Sequence, residues 1–159
     1  VKVILATRNR YLEYGLLEML KGYDVILVRD FFLPANRRCR PEQETSWLII
    51  CDEVFSQLMR SLFQGRHFLL LDTALPVNEA ETEERLRNGI WEYNKMARPL
   101  TMSEMVVIFS YVYMEWAPDY LAREMGISVK TVNSFLYRGL AKNGRHGVSV
   151  KHLVSGLSR

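Results

Sequence analysis

Cysteine is scarce in this 159-residue chain, which has Cys39 and Cys51 and no other. The two share no CxxC or Cys/His spacing, so a disulfide scaffold and a cysteine-based metal site are both excluded. Cys51 lies in an apolar run and reads as a small buried residue. The three histidines, His67, His146 and His152, are scattered, and no metal site is expected. No apolar run approaches the roughly 18–20 residues of a membrane span, and the start lacks the basic-then-apolar order of a signal peptide. A soluble, cytoplasmic protein is the expectation. Also missing are a Ser/His/Asp set, a glycine-rich phosphate loop and a paired-carboxylate cluster. Neither an enzyme nor a bound cofactor is therefore expected. There is no internal repeat and no low-complexity tract.

The length suits one medium domain or two small ones, and an apolar share of 48% is that of a folded protein. The net charge of +3 is modest but unevenly placed. From Arg98 onward eight Lys/Arg stand against four acids, while the rest of the chain is close to neutral. The last third is thus the part suited to an anionic partner.

The first half alternates short apolar runs with helix-like stretches. Strands are predicted at Lys2–Ala6, Asp24–Arg29, Ser46–Cys51 and His67–Asp72, with helices from about Arg10 to Leu20 and from Val54 to Phe63. Runs this apolar, separated by helices, suggest a parallel sheet covered on both faces. The stretch Phe31–Thr45 breaks the rhythm with Pro34, Pro41 and Arg37-Arg38-Cys39-Arg40. It is either a solvated surface loop or a basic binding loop. The acids Glu79, Glu81, Glu83 and Glu84 precede Arg85, Arg87, Lys95 and Arg98, an order that suits a helix dipole. With Leu86, Ile90, Tyr93 and Ala97 at helical spacing, residues 79–97 read as a connecting helix ended by Pro99. The expected division is 1–77, a connection over 78–98, and 99–159.

A new unit begins at Leu100-Thr101-Met102-Ser103-Glu104, where Thr101 and Glu104 have capping-box spacing. Val106, Phe109, Val112 and Tyr113 give the helix an apolar face. Pro118 opens a shorter helix, Asp119–Met125, in which Leu121, Ala122 and Met125 face inward. Gly126 has the position of a left-handed helix end, and Ser128 can cap the next helix. That third helix, about Val129–Asn143, divides into a buried stripe of Val132, Leu136 and Leu140 and an opposite face of Lys130, Thr131, Asn133, Ser134, Tyr137 and Arg138. Helix, glycine turn and helix form a helix-turn-helix pattern. Amide, hydroxyl and cationic groups are what a major-groove reader needs, and equally what the solvated face of a three-helix bundle carries.

The run Leu100-Thr-x-x-Glu104, followed by Leu121-Ala122-Arg123-Glu124-Met125-Gly126-Ile127-Ser128-Val129-Lys130-Thr131-Val132, closely resembles the LuxR/FixJ-type DNA-binding domain, over about residues 99–157. The resemblance implies an all-α four-helix unit whose third helix enters the major groove. Gly147–Leu157 would be the fourth helix, often used to dimerise. It implies DNA contact by Lys130, Thr131, Asn133, Ser134, Tyr137, Arg138 and Lys142, with Lys130 and Thr131 at phosphate and Asn133, Ser134 and Tyr137 at bases. Its implied partners are double-stranded DNA, a second LuxR-type regulator as homodimer or heterodimer, and RNA polymerase. The chain departs from the family at Phe135, where His is common, at Gly139 within the recognition helix, and at Asn143–Gly147, which is looser than the usual turn.

Many LuxR-type regulators begin with a receiver domain, and the strand order here resembles one. Asp52 falls where a receiver's phosphoacceptor lies, and Thr73-Ala74 resembles its switch pair. The acidic pair that would hold Mg²⁺ is replaced by Thr7-Arg8, and the fifth strand with its Lys is missing. Asp52 is then either a relic paired with Arg8 or a surface acid. The expected fold class is a truncated, flavodoxin-like receiver domain plus a separate all-α four-helix domain. The expected function is DNA-binding regulation independent of phosphorylation. A protein–protein adaptor, an auxiliary regulator that needs a partner response regulator, and a σ-factor-like region are the rival readings.

Overall fold

The structure, a computed structural model, describes residues 1–41, 44–74 and 78–143. Four parallel strands, β1 (Lys2–Ala6), β2 (Asp24–Leu27), β3 (Ser46–Cys51) and β4 (His67–Asp72), form one sheet in the order β2-β1-β3-β4. Three of the four predicted strands have the predicted bounds. The second is shorter: its pairing with β1 ends at Leu5↔Leu27, and Val28–Phe31 turns into a single helical turn, α2. This turn places Phe32 inside, 4.8 Å ring to ring from Phe109. Burial of an aromatic side chain outweighs two more residues of edge-strand pairing.

Because strand side chains alternate, the sheet has two apolar faces. On one, Val3, Leu5, Leu48, Ile50, Leu69 and Leu71 meet Leu16 and Leu20, contributed by helix α1 (Arg10–Met19) and its cap. Leu86 of α4 (Glu79–Asn88) and Trp91 pack against the same layer. On the other face, Ile4, Ala6, Trp47, Ile49, Cys51 and Phe68 meet α2 and α3 (Ser56–Leu62). Burial in this layer pushes the Cys51 thiol pKa up to about 12, so the thiol stays protonated and inert.

Glu13 of α1 accepts two bonds from the Arg29 guanidinium, at 2.9 and 3.0 Å. Those bonds hold its carboxyl below the usual glutamate range, against a smaller opposing effect of burial. A depressed folded-state pKa stabilises above the unfolded value, about 4.3, and the gain is lost as pH falls through the folded value. Glu13→Gln is therefore expected to be less stable than the parent at neutral pH and to lose less stability on acidification below about pH 4. Urea midpoints measured from pH 7 to pH 2 test this.

The second core layer continues without a break into the C-terminal helices. α5 (Met102–Val112) is apolar on nearly every side, with Met105, Val106, Val107, Ile108 and Phe109 all at or below 1% exposure. A helix of that kind must be covered all round. One side packs on α3 and the aromatic cluster, and the other on α6 (Pro118–Met125) and α7 (Val129–Lys142). The expected fold class, a receiver-like domain followed by a separate all-α four-helix domain, is thereby corrected. Among the described residues there is one α/β fold, a single four-stranded parallel sheet with seven α-helices, in which α5, α6 and α7 share with α2 and α3 the core layer on one face of the sheet. The sequence reading gave α5 a single apolar face; the structure uses two. The proposed fourth helix, Gly147–Leu157, lies outside the described residues.

The connecting helix also differs. It stops at Asn88, and beyond Gly89 the chain runs along the free edge of β4, where Phe68 and Glu92 exchange main-chain bonds of 3.0 and 2.7 Å. A Cβ at Gly89 would lie 2.3 Å from the Arg85 carbonyl and 3.0 Å from the Leu69 side chain, so the tight end of α4, pressed against the sheet, fixes the glycine. Ile90, expected on the buried stripe, is 88% exposed. Among the described residues, no helix is long and apolar enough to cross a membrane.

Candidate nucleic-acid interface

α5 starts with the full capping box: Thr101 Oγ1 accepts from the Glu104 amide, and the Glu104 carboxylate accepts from the Thr101 amide at 2.8 Å. α6 starts with Pro118 at its first turn and ends on Gly126 in the left-handed conformation, φ +69°. The Ile127 amide then donates to the Ala122 carbonyl at 3.0 Å, which closes the helix end. Ser128 Oγ accepts from the Thr131 amide and caps α7. Local chemistry at each of these junctions therefore sets the crossing of α6 and α7 before any ligand is considered.

Val132, Leu136 and Leu140 form the buried stripe of α7, as predicted from their spacing. Gly139 is buried beside them, and a Cβ there would lie 2.6 Å from Ile108 Cδ1. The glycine inside this helix thus serves close packing on α5. Gly139→Ala would gain about 1 kcal/mol of helix propensity but force an overpacked contact that costs about 1–3 kcal/mol. We expect net destabilisation, relieved when Ile108→Val removes the opposing methyl. A double-mutant cycle by urea unfolding should show favourable coupling between the two changes.

The predicted contact residues occupy an arc of about 160° on α7. Lys130, Tyr137 and Arg138 are exposed; Thr131, Asn133 and Ser134 are half-buried. Arg138 donates to Ser134 Oγ at 3.0 Å, and its guanidinium lies 5.3 Å from the centre of the Phe135 ring. Phe135 thus helps hold a cation in place. Thr131 Oγ1 is 2.9 Å from Ser128 Oγ, so its hydroxyl is partly occupied by the cap.

Lys142 does not join this face. Its ammonium sits 2.6 Å from the carboxylate of Glu104, which is 2% exposed, and also donates to the Pro99 carbonyl. It is a structural ion pair between α7 and α5. Sequence reading assigned Glu104 to the cap alone, and nothing in the spacing showed that its carboxylate also meets Lys142.

At the carboxyl edge of the sheet, Asp52 accepts from the Arg8 amide at 3.0 Å and from the Thr73 hydroxyl at 2.7 Å. Its partner in Arg8 is the main chain. The Arg8 guanidinium instead lies 4.7 Å from the Phe55 ring centre and 4.9 Å from that of Tyr113, and donates to the Tyr113 carbonyl. It clamps the end of β1 to the end of α5, a role that sequence reading missed. Among the described residues, no three His, Cys, Asp or Glu converge as metal ligands. In comparisons with protein-family models, curated proteins and solved structures, nothing matches this chain.

Proposed function

We propose that the chain is a DNA-binding transcription regulator that reads the major groove through α7 and acts without phosphorylation. The observation that carries the reading is the α6–Gly126–α7 unit, whose outer face presents Lys130, Asn133, Ser134, Tyr137 and Arg138 away from the core. The LuxR-type resemblance of the same stretch supports it. Asn can pair with adenine edges, Arg and Lys with guanine or phosphate, and hydroxyls with either. Phosphorylation is left out because Thr7-Arg8 stands where Mg²⁺ would need carboxylates.

The test is a genome-wide DNA pull-down with the purified chain, beside Asn133→Ala/Arg138→Ala. The expected result is a shared motif, enriched by the parent and lost in the double variant. Its symmetry reports whether the chain binds as a homodimer, because half-sites mirror protein symmetry. No motif, with the variant behaving as the parent, overturns autonomous DNA binding.

A second reading, a protein–protein adaptor, is favoured by two apolar surfaces on the same face, Tyr137 at 67% and Val129 at 38% exposure. Salt separates the two readings, since phosphate contacts release counterions and an apolar contact does not.

A further inference from the structure

Beside the start of α5 lies a cleft of about 780 Å³, within the roughly 300–1,000 Å³ of small-molecule sites. Five cations line it: Arg37, Arg38 and Arg40 from the loop after α2, Arg66 from the turn before β4, and Lys95. Among its described lining residues Glu44 is the one carboxylate. Among the described residues, none of the five cations forms an ion pair. So dense a set of positive charges repels itself and is relieved by an anion.

The cleft is built rather than accidental. Arg37 donates through Nε to the Met125 carbonyl at 3.2 Å, and its own carbonyl accepts from Ser103 Oγ at 3.0 Å, so the basic loop is tied to α5 and α6. Arg66 donates through Nη2 to the Leu100 carbonyl at 2.8 Å, while its Nη1 is buried with no partner. An uncompensated buried cation is costly, and burial draws its pKa below the usual arginine value. Gly65 sits at φ +76° in the cleft wall, where a Cβ would lie 2.9 Å from the Ala97 carbonyl. That close approach fixes the wall against residues 97–99. Tyr93 lies at the same cleft, 54% exposed.

We propose that this cleft binds a phosphate-bearing small molecule of the nucleotide class, with Arg38, Arg40 and Arg66 around its phosphates and Tyr93 stacked on its base. Guanidinium groups match phosphate oxygens in bidentate geometry, and an exposed ring accepts any base face. The site stands independently of the DNA-binding reading.

The test is calorimetric titration of the full chain with ADP, pyrophosphate and adenosine at constant ionic strength. ADP is expected to bind, pyrophosphate to bind more weakly and adenosine not at all. Arg38→Gln/Arg40→Gln, both at exposed positions, should weaken ADP roughly tenfold or more without lowering the melting temperature of the free chain. Tyr93→Ala should weaken ADP and leave pyrophosphate as it was. Absence of ADP binding, equal affinity for ADP and pyrophosphate, or unchanged affinity in the double variant overturns the proposal. So does a short DNA duplex that displaces ADP, which would make the cleft a backbone contact for nucleic acid; failure to displace it supports the proposal.

Discussion

Lys142→Ala is expected to destabilise the chain by about 3–5 kcal/mol, the cost of leaving one member of a buried ion pair alone. The lysine is the partner of Glu104, whose carboxylate is 2% exposed and also caps the first turn of α5. Removing the ammonium leaves that carboxylate to face the core with only the Thr101 amide. Lys142→Met combined with Glu104→Gln should recover most of the loss, because the buried charges go together and the amide still reaches the cap. Urea unfolding of the three variants gives the answer. If Lys142→Ala costs less than about 1 kcal/mol, the pair behaves as an exposed one, and Lys142 returns to the set of residues proposed to contact DNA.

Phe109→Ala is expected to cost a further large amount, about 3–5 kcal/mol, and to do so in one transition. Phe109 is 1% exposed and touches Phe32 from the sheet side and Tyr113 of its own helix, with ring centres at 4.8 Å from each. A ring at that joint belongs to both halves of the core. The near-ultraviolet aromatic signal, to which Trp47 of β3 contributes, and helix content followed at 222 nm should fall together in the parent and in the variant. Separate midpoints, with the helical signal outlasting the sheet, would mean two cooperative units and would overturn the description of one layer running from the sheet into α5, α6 and α7.

Much of this architecture was legible in the sequence, and the failures share a cause. Lys2–Ala6, Ser46–Cys51 and His67–Asp72 announce themselves because a strand buried on both faces leaves no room for polar residues. The turn from α6 to α7 is equally readable, since Gly126 and Ser128 act through their own backbone geometry. What escaped was decided by residues distant in the chain. The end of β2 is decided by the site waiting for Phe32, and the end of α4 by the edge of β4. The pairing of Glu104 with Lys142 depends on how α5 crosses α7. The shared core did leave one trace. Met105-Val106-Val107-Ile108-Phe109 has no polar side, whereas a helix covered only by α6 and α7 would show one. For the candidate interface, the exposed arc of α7 followed from helical spacing. The clamp made by Arg8 and the cleft around Arg66 did not, because isolated arginines carry no periodicity.

The way α5 is shared has a consequence for engineering. Regulators whose reading unit hangs on a tether can be recombined, one sensor traded for another at the joint. Here the surface that a cut before Leu100 would bare is the inner side of α5, an apolar stripe with Phe109 at its centre. A chimera that carries only residues 100–143 onto a foreign sensor should therefore be poorly soluble. A successful graft would have to bring the sheet along, or repaint that stripe with polar residues first.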